Sequence, residues 1–261
     1  IEVAVGEELL SNEDVSRGTS ADYRLQVALV FRHLQPLSES DRQSLLQFSQ
    51  EHGIHLYLQP GGNDTVHKLF PADSVERLQY YLPEFDLQLN FHPMDFTQIN
   101  AGINRKIISQ ALSLLELNED DTVLDLFCGL GNFTLASARR AKKVVGVEGS
   151  QEMVLRGSEN ASLNGLSNIE FHAADLFKSI AEKDWAAAEY SKIILDPPRS
   201  GAIEIIPEIA KLGAKTIVYV SCNPATLARD TAELISAGYK LRATGVMDMF
   251  PHTTHVESMA V

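Results

Sequence analysis

The sequence predicts an α/β protein, a doubly wound and mostly parallel sheet preceded by a small α+β domain. Three observations carry this prediction. From residue 122 onward, near-continuous apolar runs alternate with helical segments, which is how parallel strands covered on both faces read. Before about residue 95 the order is mixed, with half-buried alternation typical of a smaller sheet. The 261 residues, at roughly 150 per domain, suffice for two cores, assigned to residues 1–95 and 96–261.

Each element has its own justification. Residues 1–20 show little periodicity and carry a polar cluster from Ser11 to Ser20, so they read as an irregular lead-in. From Tyr23 to Phe31 the alternation supports a strand. Ser38 or Ser40 can cap a helix with Leu45, Leu46 and Phe48 near one face, and Gly53 can end it. Ile54–Leu58 is a short strand followed by the turn Pro60-Gly61-Gly62-Asn63-Asp64. Leu87, Leu89 and Phe91 alternate with polar residues in another strand, and the small unit ends near Pro93. Then Ile103, Ile107, Ile108, Ala111, Leu112, Leu114 and Leu115 keep helical spacing. Strands follow at Thr122–Phe127, Lys143–Glu148, Ile169–Asp175, Ile193–Asp196 and Thr216–Ser221, with helices between them. Gly165 and Gly238 are placed to end two of those helices.

Composition narrows the function. With 44% hydrophobic and 22% charged residues the chain is neither disordered nor fibrous. It has no apolar run of about 18 residues for a membrane span and no signal-peptide pattern at its start. Two cysteines, Cys128 and Cys222, make no disulfide framework; a reducing, cytoplasmic location is expected. The net charge of −13 argues against a polyanion held by charge alone. Residues 1–95 carry 6 basic and 15 acidic side chains, residues 96–261 carry 16 and 20. The chain opens at Ile1 without methionine, so a preceding part is expected, and it stops four residues after Glu257, which is expected to truncate the last strand.

In a doubly wound sheet ligands bind beyond the carboxyl ends of the strands. The first of these strands leads into Asp125-Leu-Phe127-Cys-Gly129-Leu-Gly131-Asn132. Its glycines allow a tight turn and close approach to a ligand, but position 134 is threonine where a dinucleotide loop has a third glycine. The second strand ends in Glu148, able to accept from both hydroxyls of a ribose, and the third in Asp175, placed for the edge of an adenine. Either carboxylate alone could be a helix cap; together they predict an S-adenosylmethionine pocket. The fourth strand ends Asp196-Pro-Pro-Arg199, whose prolines hold the carboxylate rigidly. Arg199, a lone arginine, reads as a surface ion-pair partner. The fifth ends Ser221-Cys222-Asn223-Pro224 and opens a helix, a setting that favours a thiolate. Cys128 belongs to the glycine loop and reads as packing.

Amino groups and hydroxyls accept a methyl through lone pairs, whereas C5 of a pyrimidine does not. A thiolate added at C6 makes C5 nucleophilic, and a base must then remove the C5 proton. His255-Val256-Glu257 offers Glu257 for that task. His252 and His255 without a third ligand do not make a metal site, and no metal is expected. Other readings remain at this stage: an N-methyltransferase using Asp-Pro-Pro-Arg, a nicotinamide oxidoreductase using the glycine loop and Glu148, and a non-catalytic RNA-binding module.

Taken together, Phe96-Thr-Gln98-Ile-Asn100, the Asp-Leu-Phe-Cys-Gly-Leu-Gly-Asn-Phe-Thr loop, Asp-Pro-Pro-Arg, Ser-Cys-Asn-Pro and His-Val-Glu resemble the RNA uracil-5-methyltransferase family. The likeness is to the bacterial 23S ribosomal RNA enzymes more than to the tRNA enzyme, so 5-methyluridine formation in tRNA is the alternative. It covers residues 96–261, while residues 21–95 look like the family's central domain. The resemblance implies a Rossmann-like class I methyltransferase sheet with S-adenosylmethionine as cofactor and 23S rRNA as partner, acting as a monomer away from membranes. It makes Cys222 the nucleophile and Glu257 the base. Gln98, Phe127, Asn132, Glu148, Asp175 and Asp196 contact the cofactor, and Phe96 stacks beside the extruded uracil. Family members usually begin with an RNA-binding barrel, and the ribosomal enzymes carry cysteines for a [4Fe–4S] cluster. Neither lies in this sequence, so both are expected only in a missing N-terminal part.

Overall fold

A computed structural model describes residues 1–10, 23–74 and 76–261. The chain divides into two compact units, one of Ile1–Tyr81 with Gln88–Thr97, the other of Leu82–Leu87 with Gln98–Val261.

The first unit is built on a four-stranded sheet of β1 (Glu2–Leu9), β2 (Tyr23–Arg32), β3 (His55–Gln59) and β4 (His67–Phe70), in that order. Residues 2–9 are therefore not irregular. They pair antiparallel with β2 along their whole length, from Glu2 opposite Val30 to Leu9 opposite Tyr23. Glu2, Glu7 and Glu8 spoil the local alternation, and the ladder with β2 supplies the order that the pattern lacks. The polar cluster Ser11–Ser20 lies outside the described residues.

Helix α1 (Glu39–His52) begins at Ser38, whose Oγ accepts from Asp41 N while Asp41 accepts from Ser38 N, a capping box. It ends at Gly53, whose φ of 62° is left-handed. Its expected apolar face is weaker than predicted: Leu45 and Leu46 are half-buried and Phe48 is exposed. The residue this helix buries fully is Ser49. Strands β5 (Leu78–Leu82) and β6 (Leu87–Phe91) form a separate two-stranded sheet. Neither β4 nor β5 was expected from the pattern.

The second unit carries a seven-stranded sheet. Its strands are β7 (Thr122–Leu126), β8 (Lys143–Glu148), β9 (Ile169–Ala173), β10 (Lys192–Leu195), β11 (Thr216–Ser221), β12 (Thr244–Met247) and β13 (Glu257–Ala260). The order is β12-β13-β11-β10-β7-β8-β9. Strands β7 to β11 pair parallel with one another, whereas β13 runs antiparallel to both β11 and β12. The order reverses between β7 and β10, the switch point at which such sheets open a crevice for ligands.

Helices fill the connections: α2 (Ala101–Leu115), α3 (Asn132–Ala138), α4 (Gln151–Leu163), α5 (Ile206–Lys211) and α6 (Pro224–Ser236). Leu124, Leu126, Ile193, Leu195, Ile217 and Tyr219 pack with Ile205, Ile206, Ile209, Leu227 and Leu234 in one buried cluster. Each buried aliphatic side chain there contributes about 1.5–3 kcal/mol of transfer free energy. That packing fixes the sheet and, with it, the loops at its carboxyl edge. Phe171 of β9 sits in a slot made by glycines: a Cβ on Gly146 or Gly157 would come within 2.8 or 2.7 Å of its ring. Glycine is used there for close approach, beside the loop that follows β7.

Candidate active site

Five strand ends meet along the carboxyl edge of the second unit. After β7 the chain turns at Phe127, which has a φ of 64°, then at Gly129 (55°) and Gly131 (99°). A non-glycine residue in that region is strained, and such strain gathers at ligand sites. Gly131 N–H donates to Cys128 O at 2.9 Å, closing the loop, and α3 starts at once. Glu148 clasps this loop: one carboxylate oxygen accepts from Gly129 N at 3.1 Å and the other from Ser150 N at 3.0 Å. Cys128 is buried, and burial pushes its thiol well above the ordinary range.

Asp125 lies beneath the loop, fully buried. One oxygen accepts from Thr134 Oγ1 at 2.5 Å, and the other has no hydrogen-bond partner. Threonine at position 134 thus serves the carboxylate, which a third glycine there could not do. Burial, reinforced by the Glu148 charge, raises Asp125 to about 7. The unfolded chain would ionise it near 3.8. Between those pH values the folded state binds more protons, so stability falls as pH rises through this window. Asp125→Asn is expected to flatten that fall, by on the order of 1–4 kcal/mol between its two ends. Urea unfolding at mildly acidic and mildly alkaline pH checks it; an unchanged difference in the variant would show that Asp125 is not the group responsible.

Asn132 forms a reciprocal amide pair with Asn104 of α2, with Nδ2-to-Oδ1 distances of 2.8 and 3.2 Å. Asn100 caps the same helix by accepting from Ile103 N. Gln98 stands two residues before that cap, half-buried. Asp175 lies two residues beyond β9 and is exposed. It accepts from Phe177 N and pairs with Lys178 at 3.0 Å, and these contacts hold its carboxyl below the usual range. The Phe127 and Phe177 rings stand 5.9 Å apart. Phe96 belongs to the first unit and is exposed.

The second half of the edge gathers the reactive groups. Register pairs Ser221 of β11 with Ser258 of β13, and Ser258 Oγ donates to Ser221 O at 2.9 Å. Cys222 follows Ser221 and Glu257 precedes Ser258, so the two residues flank the last pair of this ladder on the same side. Glu257 is 3% exposed, and burial raises its carboxyl. Asp196 follows β10, its N–H donating to Leu126 O at 3.3 Å. Burial, then the charges of Glu257 and Asp125, push it well above the carboxylate range. Cys222 is partly exposed. Burial, then the Glu257 and Asp196 charges, raise its thiol, and Arg199 acts in the opposite sense. Cys222 immediately precedes Asn223, the cap of α6, whose Oδ1 accepts from Ala225 N.

Arg199 is exposed and contacts His255 Nδ1 at 3.4 Å, so its partner in the described structure is a histidine beside Glu257. The motifs did not single out Asn104, Thr134, Tyr219 or Asp230 as part of this edge; each acts through a partner at least nine residues away. Among the described residues no group of three His, Cys, Asp or Glu side chains could hold a metal, and no helix is long and apolar enough to cross a membrane.

Comparison with known proteins places these features. Residues 78–261 match the family model described as tRNA (Uracil-5-)-methyltransferase. The chain is 60% identical over 235 residues to the 23S rRNA (uracil(1939)-C(5))-methyltransferase RlmD of Alcanivorax borkumensis, covering 90% of this chain and 53% of that protein. It is 58% identical over 238 residues to the RlmD of Hahella chejuensis, with the same coverage. The chain therefore spans about half the length of the curated relatives it matches. Among solved structures, the Pyrococcus abyssi tRNA (uracil-54, C5)-methyltransferase in complex with S-adenosyl-L-homocysteine aligns with a TM-score of 0.70 and 25% identity, over 91% of this chain and 56% of that one. The M. jannaschii tRNA m1G37 methyltransferase shares the fold alone, at a TM-score of 0.60 and 12% identity over 89% of this chain and 68% of that one.

Proposed function

Because the chain belongs to the tRNA (uracil-5-)-methyltransferase family, we propose that it is the catalytic part of an enzyme that methylates C5 of a uridine in 23S ribosomal RNA. The observation that carries this reading is that Cys222 and the buried Glu257 flank the last pair of the β11–β13 ladder, Ser221 with Ser258, at the sheet edge.

Cys222, partly open to solvent, gives its Sγ proton to water, and the thiolate bonds to C6 of the uracil. The electrons of the C5–C6 double bond move onto C5 and the O4 carbonyl, so C5 becomes nucleophilic. Glu257 later takes the C5 proton, the double bond re-forms and the thiolate leaves. The amino end of α6 and Arg199 favour the thiolate. The carboxyls around it keep the resting group as a thiol, so the proton leaves as substrate binds. Burial of Glu257 makes it a stronger base than an exposed glutamate.

S-adenosylmethionine, when bound, supplies the methyl group. The glycine loop fits such a group: there is open space beside Gly129, and the unpartnered Asp125 oxygen and the Glu148 carboxylate offer acceptors. Gln98, Phe127, Asn132, Glu148, Asp175 and Asp196 are the residues assigned to hold it, with Phe96 assigned to the uracil. The division into a small α+β domain of residues 1–95 and a methyltransferase domain of 96–261 belongs to the same reading, as does a cytoplasmic location. The 60% identity to an RlmD favours ribosomal RNA over tRNA as the substrate.

Mapping 5-methyluridine in ribosomal and transfer RNA from cells with and without the full-length gene tests the proposal. Loss of one 5-methyluridine from 23S rRNA is the expected result. Loss from tRNA alone would transfer the activity to the other substrate, and a methyl found on nitrogen would end the proposal.

A further inference from the structure

One buried ionisable group of the second unit has no part in the chemistry above. Asp230, in the second turn of α6, is wholly buried and fully engaged. Its Oδ2 accepts from Ala202 N at 2.7 Å and from Tyr219 OH at 2.6 Å, and its Oδ1 accepts from Arg229 Nε at 2.7 Å. A buried carboxylate with this many donors is expensive to assemble and fixes whatever supplies them.

One of these donors, Ala202 N, belongs to the loop that follows Asp196. Arg229, held by Asp230, reaches Ser200 O through Nη2 at 2.9 Å. Asn223, next to Cys222 in the chain, donates from Nδ2 to Arg199 O at 3.1 Å, and Thr226 Oγ1 donates to the same oxygen at 3.5 Å. Residues 199, 200 and 202 are thereby fastened to the cap and first turns of α6. Gly201 permits it: its φ is 85°, and a Cβ there would lie 2.5 Å from Arg229 Nη2 and 2.6 Å from Asp230 Oδ2. Tyr219, held protonated above its ordinary range by burial and by Asp230, remains a donor throughout the neutral pH range.

We propose that Asp230 is a positioning residue for Cys222: by clamping the Arg199–Ala202 loop onto α6 it keeps Arg199 seated against Asn223, the next residue after Cys222. The charged groups acting on Cys222 are Glu257 from β13, Asp196 from the end of β10, and Arg199 from this loop, with His255 in contact with Arg199. The two carboxyls oppose the thiolate and Arg199 favours it, so releasing the loop weakens the favourable influence. The inference rests on Cys222 as the nucleophile, but its readout is thiol reactivity and needs no methyl transfer.

The test follows alkylation of Cys222 by iodoacetamide in the 261-residue chain from neutral to alkaline pH, read by peptide mass so that Cys128 is counted separately. Asp230→Asn is expected to move the reactivity midpoint up and slow alkylation at neutral pH by roughly threefold or more. Arg199→Gln should do the same, and the double variant no more than either alone. Arg229→Gln, at a side chain 44% exposed and therefore tolerant of change, should give a smaller shift in the same direction. A lowered melting temperature with an unmoved profile, or effects of Asp230→Asn and Arg199→Gln that add, would overturn the proposal. If Asp230→Asn does not fold, an unmoved profile in Arg229→Gln overturns it equally. Methylation surviving in Cys222→Ala would end the nucleophile reading, whereas an unmoved thiol profile in Asp230→Asn would end the positioning role alone, so the two failures are told apart.

Discussion

Replacing Cys222 by alanine is expected to abolish 5-methyluridine formation, with a loss on the order of 10⁴-fold or more, the scale seen when the nucleophile of a covalent mechanism is removed. Position argues for so large an effect. C5 of uracil lacks the lone pair that would let it accept a methyl unaided, so no slower route remains once the sulfur is gone. Folding is expected to survive, because Cys222 is only partly buried at the end of β11. RNA carrying 5-fluorouridine separates chemistry from binding. Fluorine at C5 cannot leave as a proton, so the wild-type enzyme should be caught as a covalent complex stable to denaturant, and Cys222→Ala should form none. Methylation at C5 by Cys222→Ala would refute the mechanism.

Glu257→Gln is expected to fail later. Addition and methylation do not need the base, whereas elimination does. Turnover should fall by about 10²–10⁴-fold, and unmodified RNA should now accumulate as a denaturant-stable adduct, which the wild-type enzyme resolves. The rate should also carry a pH signature. The base works as carboxylate and burial raises its pKa, so activity should be lost with falling pH at a value above the ordinary glutamate range. Trapped adduct on gels and a pH–rate profile check both parts. A variant that stops before adduct formation would assign Glu257 to the first step instead.

How much of this was legible in the sequence differs between elements. The parallel strands β7, β8, β10 and β11 were readable because strands covered on both faces are apolar throughout, and their ends marked the edge on which Asp125, Glu148, Asp196 and Cys222 stand. Strand β1 was not readable: its glutamates interrupt the alternation, and only the ladder with β2 makes it a strand. Helix α1 kept its signals at both ends, Ser38 and Gly53, while its face proved less apolar than the spacing of Leu45, Leu46 and Phe48 indicated. Within the site, residue types at strand ends were visible, but pairings were not. That Asn104 holds Asn132, or that Thr134 serves Asp125, follows from packing between α2, α3 and β7, and short-range periodicity carries no trace of it.

The placement of β13 between β11 and β12 bears on how the protein comes into being. Residues are delivered in order, and the sulfur-bearing strand end with its helix is complete well before the carboxyl-bearing strand exists. Strand β12 meets the sheet through β13 alone, so the two must dock on β11 together, a long-range closure of the kind that slows folding. Until that docking is complete, Cys222 at the end of β11 lacks the β13 strand that brings Glu257 to the same edge.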